Sequence, residues 1–119
     1  MSEELKKGLI IFAKRPVPGR VKTRLSPPLS PEQAAGLYRC MLEDILAKAA
    51  IIPGVEKWIF YETDTGAPAF FAGIAPGMAC THQRGADLGE RMASAFAELF
   101  AMGYGRVAII GTDIPDLPL

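Results

Sequence analysis

The 119-residue sequence has no apolar run long enough to cross a membrane, a single histidine and only two cysteines. Its strongly apolar stretch near the start, Leu9–Ala13, is too short to span a bilayer or to form the core of a secretory signal. Residues 2–7 before it mix both charge signs, as a secretory leader does not. A soluble, cytoplasmic protein is therefore expected. Cys40 and Cys80 form no CxxC motif, which argues against a zinc finger or a disulfide framework, and both are expected to be buried thiols. His82 has no histidine or cysteine at ligand spacing beside it. Neither Ser30 nor the cysteines have a local base, so nucleophilic catalysis has no support.

Acid is also missing from one long stretch. Overall, 13 basic side chains balance 13 acidic ones. Between Leu5 and Pro31, however, there is no carboxylate, while Lys6, Lys7, Lys14, Arg15, Arg20, Lys22 and Arg24 all fall there. Local sign matters more than the total when a small anion has to be held.

What is present reads as one compact domain over residues 1–119, half of it apolar. Gly8–Ala13 is expected to be a buried strand, and prolines and a glycine in Lys14–Arg20 stop it from continuing. Ser30-Pro31-Glu32-Gln33 is a capping box that opens a helix, with Leu37, Met41, Leu42, Ile45, Leu46 and Ala49 at helical spacing. Val55–Glu62 reads as a second strand, Ala67–Ile74 as a short helix, and Met78–His82 as a third strand. Asp87-Leu88-Gly89-Glu90 is a second capping box. It precedes an apolar stripe of Leu88, Met92, Ala95, Phe96, Leu99 and Phe100, whose Met and Phe residues are expected in the core. Gly103 and Gly105 end that helix, and Arg106–Ile110 forms a fourth, buried strand. Regular strand–helix alternation of this kind builds a parallel α/β sheet covered on both faces. The chain stops before any helix that would follow the fourth strand, as a piece of a larger domain would.

Ligands of open parallel sheets bind beyond the carboxyl ends of the strands. Three polar segments are expected there. Lys14–Arg24 carries five cations in eleven residues, with a glycine that lets backbone amides approach a ligand, and suits a diphosphate. It is not a Walker A loop, because Val21 precedes Lys22-Thr23 and the GxxxxG spacing is absent. Gln83–Asp87 places Arg84 and Gly85 at the start of a helix, whose N-terminus favours anions. Asp113 and Asp116 offer oxygen ligands on a short loop, which suit Mg2+ or Mn2+.

These residues resemble a group of bacterial glycosyltransferase-like proteins in the nucleotide-diphospho-sugar transferase (GT-A) superfamily. The resemblance rests on Leu9–Pro16 continuing through Gly19–Leu25, on Gln83–Met92 and on Gly111–Pro118, three motifs in the family's order, and it extends over essentially the whole chain. It implies a Rossmann-like three-layer α/β/α sandwich with parallel sheet order 3-2-1-4. It further implies that Ala13, Lys14, Arg15, Gly19, Arg20, Lys22, Arg24, Arg84 and Gly85 hold a nucleotide and its phosphates. Asp113 would be the first acid of a metal site for Mg2+ or Mn2+, with Asp116 second, at DxxD rather than DxD spacing. Family members continue past this length into a half that supplies the acceptor site. Expected partners are a nucleotide or nucleotide-sugar and, for a chain lacking that half, a second copy; nucleic acid and a membrane span are not expected. Three functions remain open: a metal-dependent glycosyltransferase, a nucleotidyltransferase resembling 2-phospholactate guanylyltransferases, or a nucleotide-binding module without chemistry.

Overall fold

The computed structural model of the chain describes residues 6–21 and 29–112. Seven elements alternate along it: β1 (Lys6–Ala13), α1 (Pro31–Ala50), β2 (Glu56–Tyr61), α2 (Ala67–Ile74), β3 (Ala79–His82), α3 (Leu88–Ala101) and β4 (Tyr104–Gly111). The four strands form one parallel sheet in the order β3-β2-β1-β4, as expected. Ile10 of β1 aligns with Trp58 of β2 on one side and Ile109 of β4 on the other.

Period-two alternation along β1 divides the core between the two faces of the sheet. Leu9, Ile11 and Ala13 pack with Tyr38, Leu42 and Leu46 of α1 and Phe71 of α2. Ile10 and Phe12 face the other way, onto Ala95 and Leu99 of α3. Three layers result, with α1 and α2 on one face and α3 on the other. Each fully buried Ile or Phe contributes roughly 1.5–3 kcal/mol, so β1 anchors both layers.

Local signals account for the helix starts. Ser30 accepts from the Gln33 amide, and the Gln33 side chain accepts from the Ser30 amide, completing the α1 box. At α3, Asp87 accepts from the Glu90 amide, but the Glu90 carboxylate reaches past it to the Ala86 amide, so this box closes one residue early. Strand limits move by one to two residues from the expected ones, and Gly105 falls inside β4 rather than ending α3.

Several burial expectations are corrected. Cys40 is exposed and Cys80 only half-buried. Two residues on from buried Tyr38, Cys40 lies about 200° around the helix, on the solvent side. Leu37 and Met41 flank the buried line of Tyr38, Leu42 and Leu46 and are exposed. On α3 only Ala95 and Leu99 are buried, while Leu88 and Phe100 face solvent because α3 is alone on its face among the described helices. β4 is likewise not buried throughout: Arg106, Ala108 and Ile110 are exposed on the face away from α3. Among the described residues, no helix is long and apolar enough to cross a membrane.

Candidate functional site

Chain direction reverses between β1 and β4: α1 and α2 carry the chain outward to β3, and α3 returns it across the opposite face. This is the switch point at which such sheets open a crevice beyond their carboxyl ends. The segments leaving the strands are fastened there by backbone bonds. Glu62 donates to the Ala13 carbonyl at 2.9 Å, Gln83 to Tyr61 at 2.8 Å and Thr112 to Phe12 at 3.1 Å.

The cationic loop leaves β1 at Ala13, which is buried. Val17-Pro18-Gly19-Arg20 is a tight turn closed by the Arg20 amide on the Val17 carbonyl at 3.0 Å. Proline pre-sets the second position, and Gly19 takes a φ of +83° that a larger residue would resist. The turn brings Lys14, Arg15 and Arg20 into one small cleft with Val17, Glu62 and Asp64.

Inside the cleft the charges are ordered rather than loose. Arg15 grips Asp64 with two bonds, Nε to Oδ2 at 2.7 Å and Nη2 to Oδ1 at 3.0 Å. The Gly66 amide adds a third bond to Asp64 at 3.0 Å. A side chain at Gly66 would meet the Arg15 guanidinium and push it from this position. The Arg15 bond and the Gly66 amide hold the Asp64 carboxyl down at about 2, and nearby Arg20 adds to the effect. Lys14 Nζ lies 3.5 Å from Glu62, and Arg91 of α3 approaches the same carboxylate at 3.9 Å. Four cations thus meet two carboxylates, leaving the cleft positive.

Behind the cleft sits a buried hydroxyl chain. The Lys14 amide donates to the Tyr38 hydroxyl at 2.9 Å. Tyr38 Oη and Thr112 Oγ1 are 2.7 Å apart, and Thr112 Oγ1 donates to the Phe12 carbonyl at 2.9 Å.

Ala13, Lys14, Arg15, Gly19 and Arg20 are therefore gathered at one strand edge. Arg84 and Gly85 do not line the cleft, and Gly85 reaches it through Arg91, which approaches Glu62. Arg84 bonds Glu98 and the His82 carbonyl, while Gly85, at φ +141°, accepts from Arg91 Nε at 3.0 Å and allows the α3 start to close over it. Lys22, Arg24, Asp113 and Asp116 lie outside the described residues. The sequence reading overlooked Glu62, Asp64 and Arg91 as cleft residues and Tyr38 as a polar one. Glu62 and Asp64 were findable, since they directly follow the second strand and share its carboxyl edge. Arg91 and Tyr38 carry no local signal, because each sits within an ordinary helical pattern.

Among the described residues, no group of three or more His, Cys, Asp and Glu could hold a metal ion. A metal at this edge would depend on Asp113 and Asp116, whose carboxylate oxygens are the donor type that Mg2+ and Mn2+ prefer.

The sequence model of the family described as "Uncharacterized protein conserved in bacteria (DUF2064)" matches residues 45–119. A crystal structure from Desulfovibrio desulfuricans G20, described as a "putative nucleotide-diphospho-sugar transferase", is similar over 97% of this chain, with 38% identity and a TM-score of 0.86. The chain spans 50% of the length of that protein. No curated protein matches.

Proposed function

The chain belongs to the DUF2064 family conserved in bacteria, and from that premise we propose that it binds the nucleotide-diphosphate part of a nucleotide-sugar, within an enzyme that transfers the sugar. Its nucleotide-diphospho-sugar transferase-like fold supports this reading. The single observation that carries it is the cationic cleft beyond the carboxyl ends of β1 and β2, where Lys14, Arg15 and Arg20 converge with Glu62 and Asp64. A diphosphate presents several negative oxygens within a few ångströms, and flexible Lys14 with the forked Arg20 suits them. Arg15 has a different part. Its fork is engaged by Asp64, so it fixes the loop while its charge still adds to the field.

Lys22 and Arg24 extend the same cationic segment, and Asp113 with Asp116 would hold Mg2+ or Mn2+. Such an ion supplies neutralisation of the diphosphate charge as the sugar departs. The protein's own cations then need to balance only the remainder.

Titration calorimetry with uridine and guanosine diphosphates tests the reading, in Mn2+ and in chelator. Arg20→Ala is expected to weaken binding about tenfold in both conditions, the size of one charged hydrogen bond. Asp113→Ala is expected to abolish only the gain that Mn2+ gives. Absence of binding by the folded chain in every condition overturns the proposal.

A further inference from the structure

Tyr38 is fully buried at the middle of α1, yet its hydroxyl lies where β1 and β4 both end. A buried phenol must satisfy its polar end. Its partners include the residues that directly follow the two strands. Lys14 is the first residue beyond β1, and Thr112 is the first beyond β4. Thr112 Oγ1 lies 2.7 Å from the Tyr38 hydroxyl and 2.9 Å from the Phe12 carbonyl, to which it donates. Tyr38 thus accepts from the loop that carries the cations and shares a hydrogen bond with Thr112 at the end of β4.

We infer that Tyr38 is a positioning residue: through its hydroxyl it sets the entry of the cationic loop against the end of β4, and so pre-forms the anion site that the loop builds beyond β1. The inference rests on the nucleotide-binding reading above. One backbone bond, from the Thr112 amide to the Phe12 carbonyl, ties the ends of β1 and β4 together, and the Tyr38 hydroxyl extends that tie to the Lys14 amide at the entry of the loop. Removing the hydroxyl leaves the Lys14 amide without this acceptor and unties the end of β4 from α1, while Thr112 keeps its bond to the Phe12 carbonyl. Lys14 and Arg20 then have to be ordered by the ligand itself, at a cost to affinity.

The test measures uridine diphosphate and inorganic pyrophosphate binding by calorimetry in the full chain and its variants, with circular dichroism melts confirming that each is folded. Tyr38→Phe is expected to weaken both ligands by about tenfold, roughly the worth of a lost buried hydrogen bond. Thr112→Val should do the same, while Thr112→Ser, which keeps the hydroxyl, should bind within about twofold of wild type. A merely structural role would lower the melting temperature without changing the affinity of the folded protein. Positioning should also appear as coupling. Arg20→Ala should weaken binding less in the Tyr38→Phe background than alone, because its contribution depends on the loop being set. If Tyr38→Phe does not fold, the Thr112 pair carries the same comparison. Wild-type affinity in folded Tyr38→Phe or Thr112→Val, with the full Arg20→Ala effect, overturns the positioning role and leaves nucleotide binding standing. No binding of either ligand by the wild type overturns the nucleotide reading, and the inference with it.

Discussion

Asp64 accepts two bonds from Arg15 and one from the Gly66 amide, and its carboxyl is held at about 2 against an ordinary 3.8. Because the folded value is the lower one, the folded state gains from ionised Asp64 above about pH 4, and the gain disappears as pH falls through about 2. Asp64→Asn is therefore expected to melt below wild type at neutral pH, with the gap closing between pH 4 and pH 2. Thermal melts across that range check it, and a gap that persists unchanged to pH 2 would contradict it. The cysteines give a second comparison at this scale. Burial pushes the Cys80 thiol up, and its Sγ donates to the Met78 carbonyl, whereas Cys40 stands on the solvent side of α1. An aromatic disulfide reagent at pH 8 should label Cys40 rapidly and Cys80 slowly. Cys40→Ser should remove the fast phase.

At the scale of an element, two glycines make opposite demands. Gly85 sits before α3 at φ +141°, and a Cβ there would come within 2.7 Å of the Arg91 amide nitrogen. Gly85→Ala is expected to cost about 1–3 kcal/mol through strain at that backbone position. It should also disturb Arg91, which bonds the Gly85 carbonyl and approaches Glu62 in the cleft. Gly36, exposed inside α1, meets nothing within 4 Å where its Cβ would be. Gly36→Ala should stabilise by up to about 1 kcal/mol, since alanine is the better helix former. Urea titrations of both variants provide the check. A destabilising Gly36→Ala would mean that α1 packs against something on that side.

At the scale of the whole molecule, the open side of the described residues is β4. It is an edge of the described sheet, with Ala108 and Ile110 exposed on the face that α1 and α2 leave uncovered. Open edges with apolar side chains invite pairing with another copy. Sedimentation velocity is expected to show association that increases with protein concentration, and Ile110→Lys should reduce it. A single concentration-independent boundary for wild type would rule this out.

The sequence by itself determined the order and kind of the elements. Buried strands announced themselves as apolar runs, and Ser30-Pro31 and Asp87 marked helix starts through bonds that close within four residues. It also located the cationic segment, whose turn follows from Pro18 and Gly19 alone. Tertiary structure decided everything that depends on which side of an element meets the sheet. Cys40, Leu37 and Phe100 fit a helical pattern equally well inside or outside, and only packing of α1 and α3 against β1 selected Tyr38, Leu42, Ala95 and Leu99. The same distinction governs the site. Arg15 and Asp64 lie 49 residues apart, and Tyr38 and Thr112 lie 74 apart. No local periodicity relates such pairs, because they meet only when the strands bring their carboxyl ends to one edge and α1 packs against that sheet.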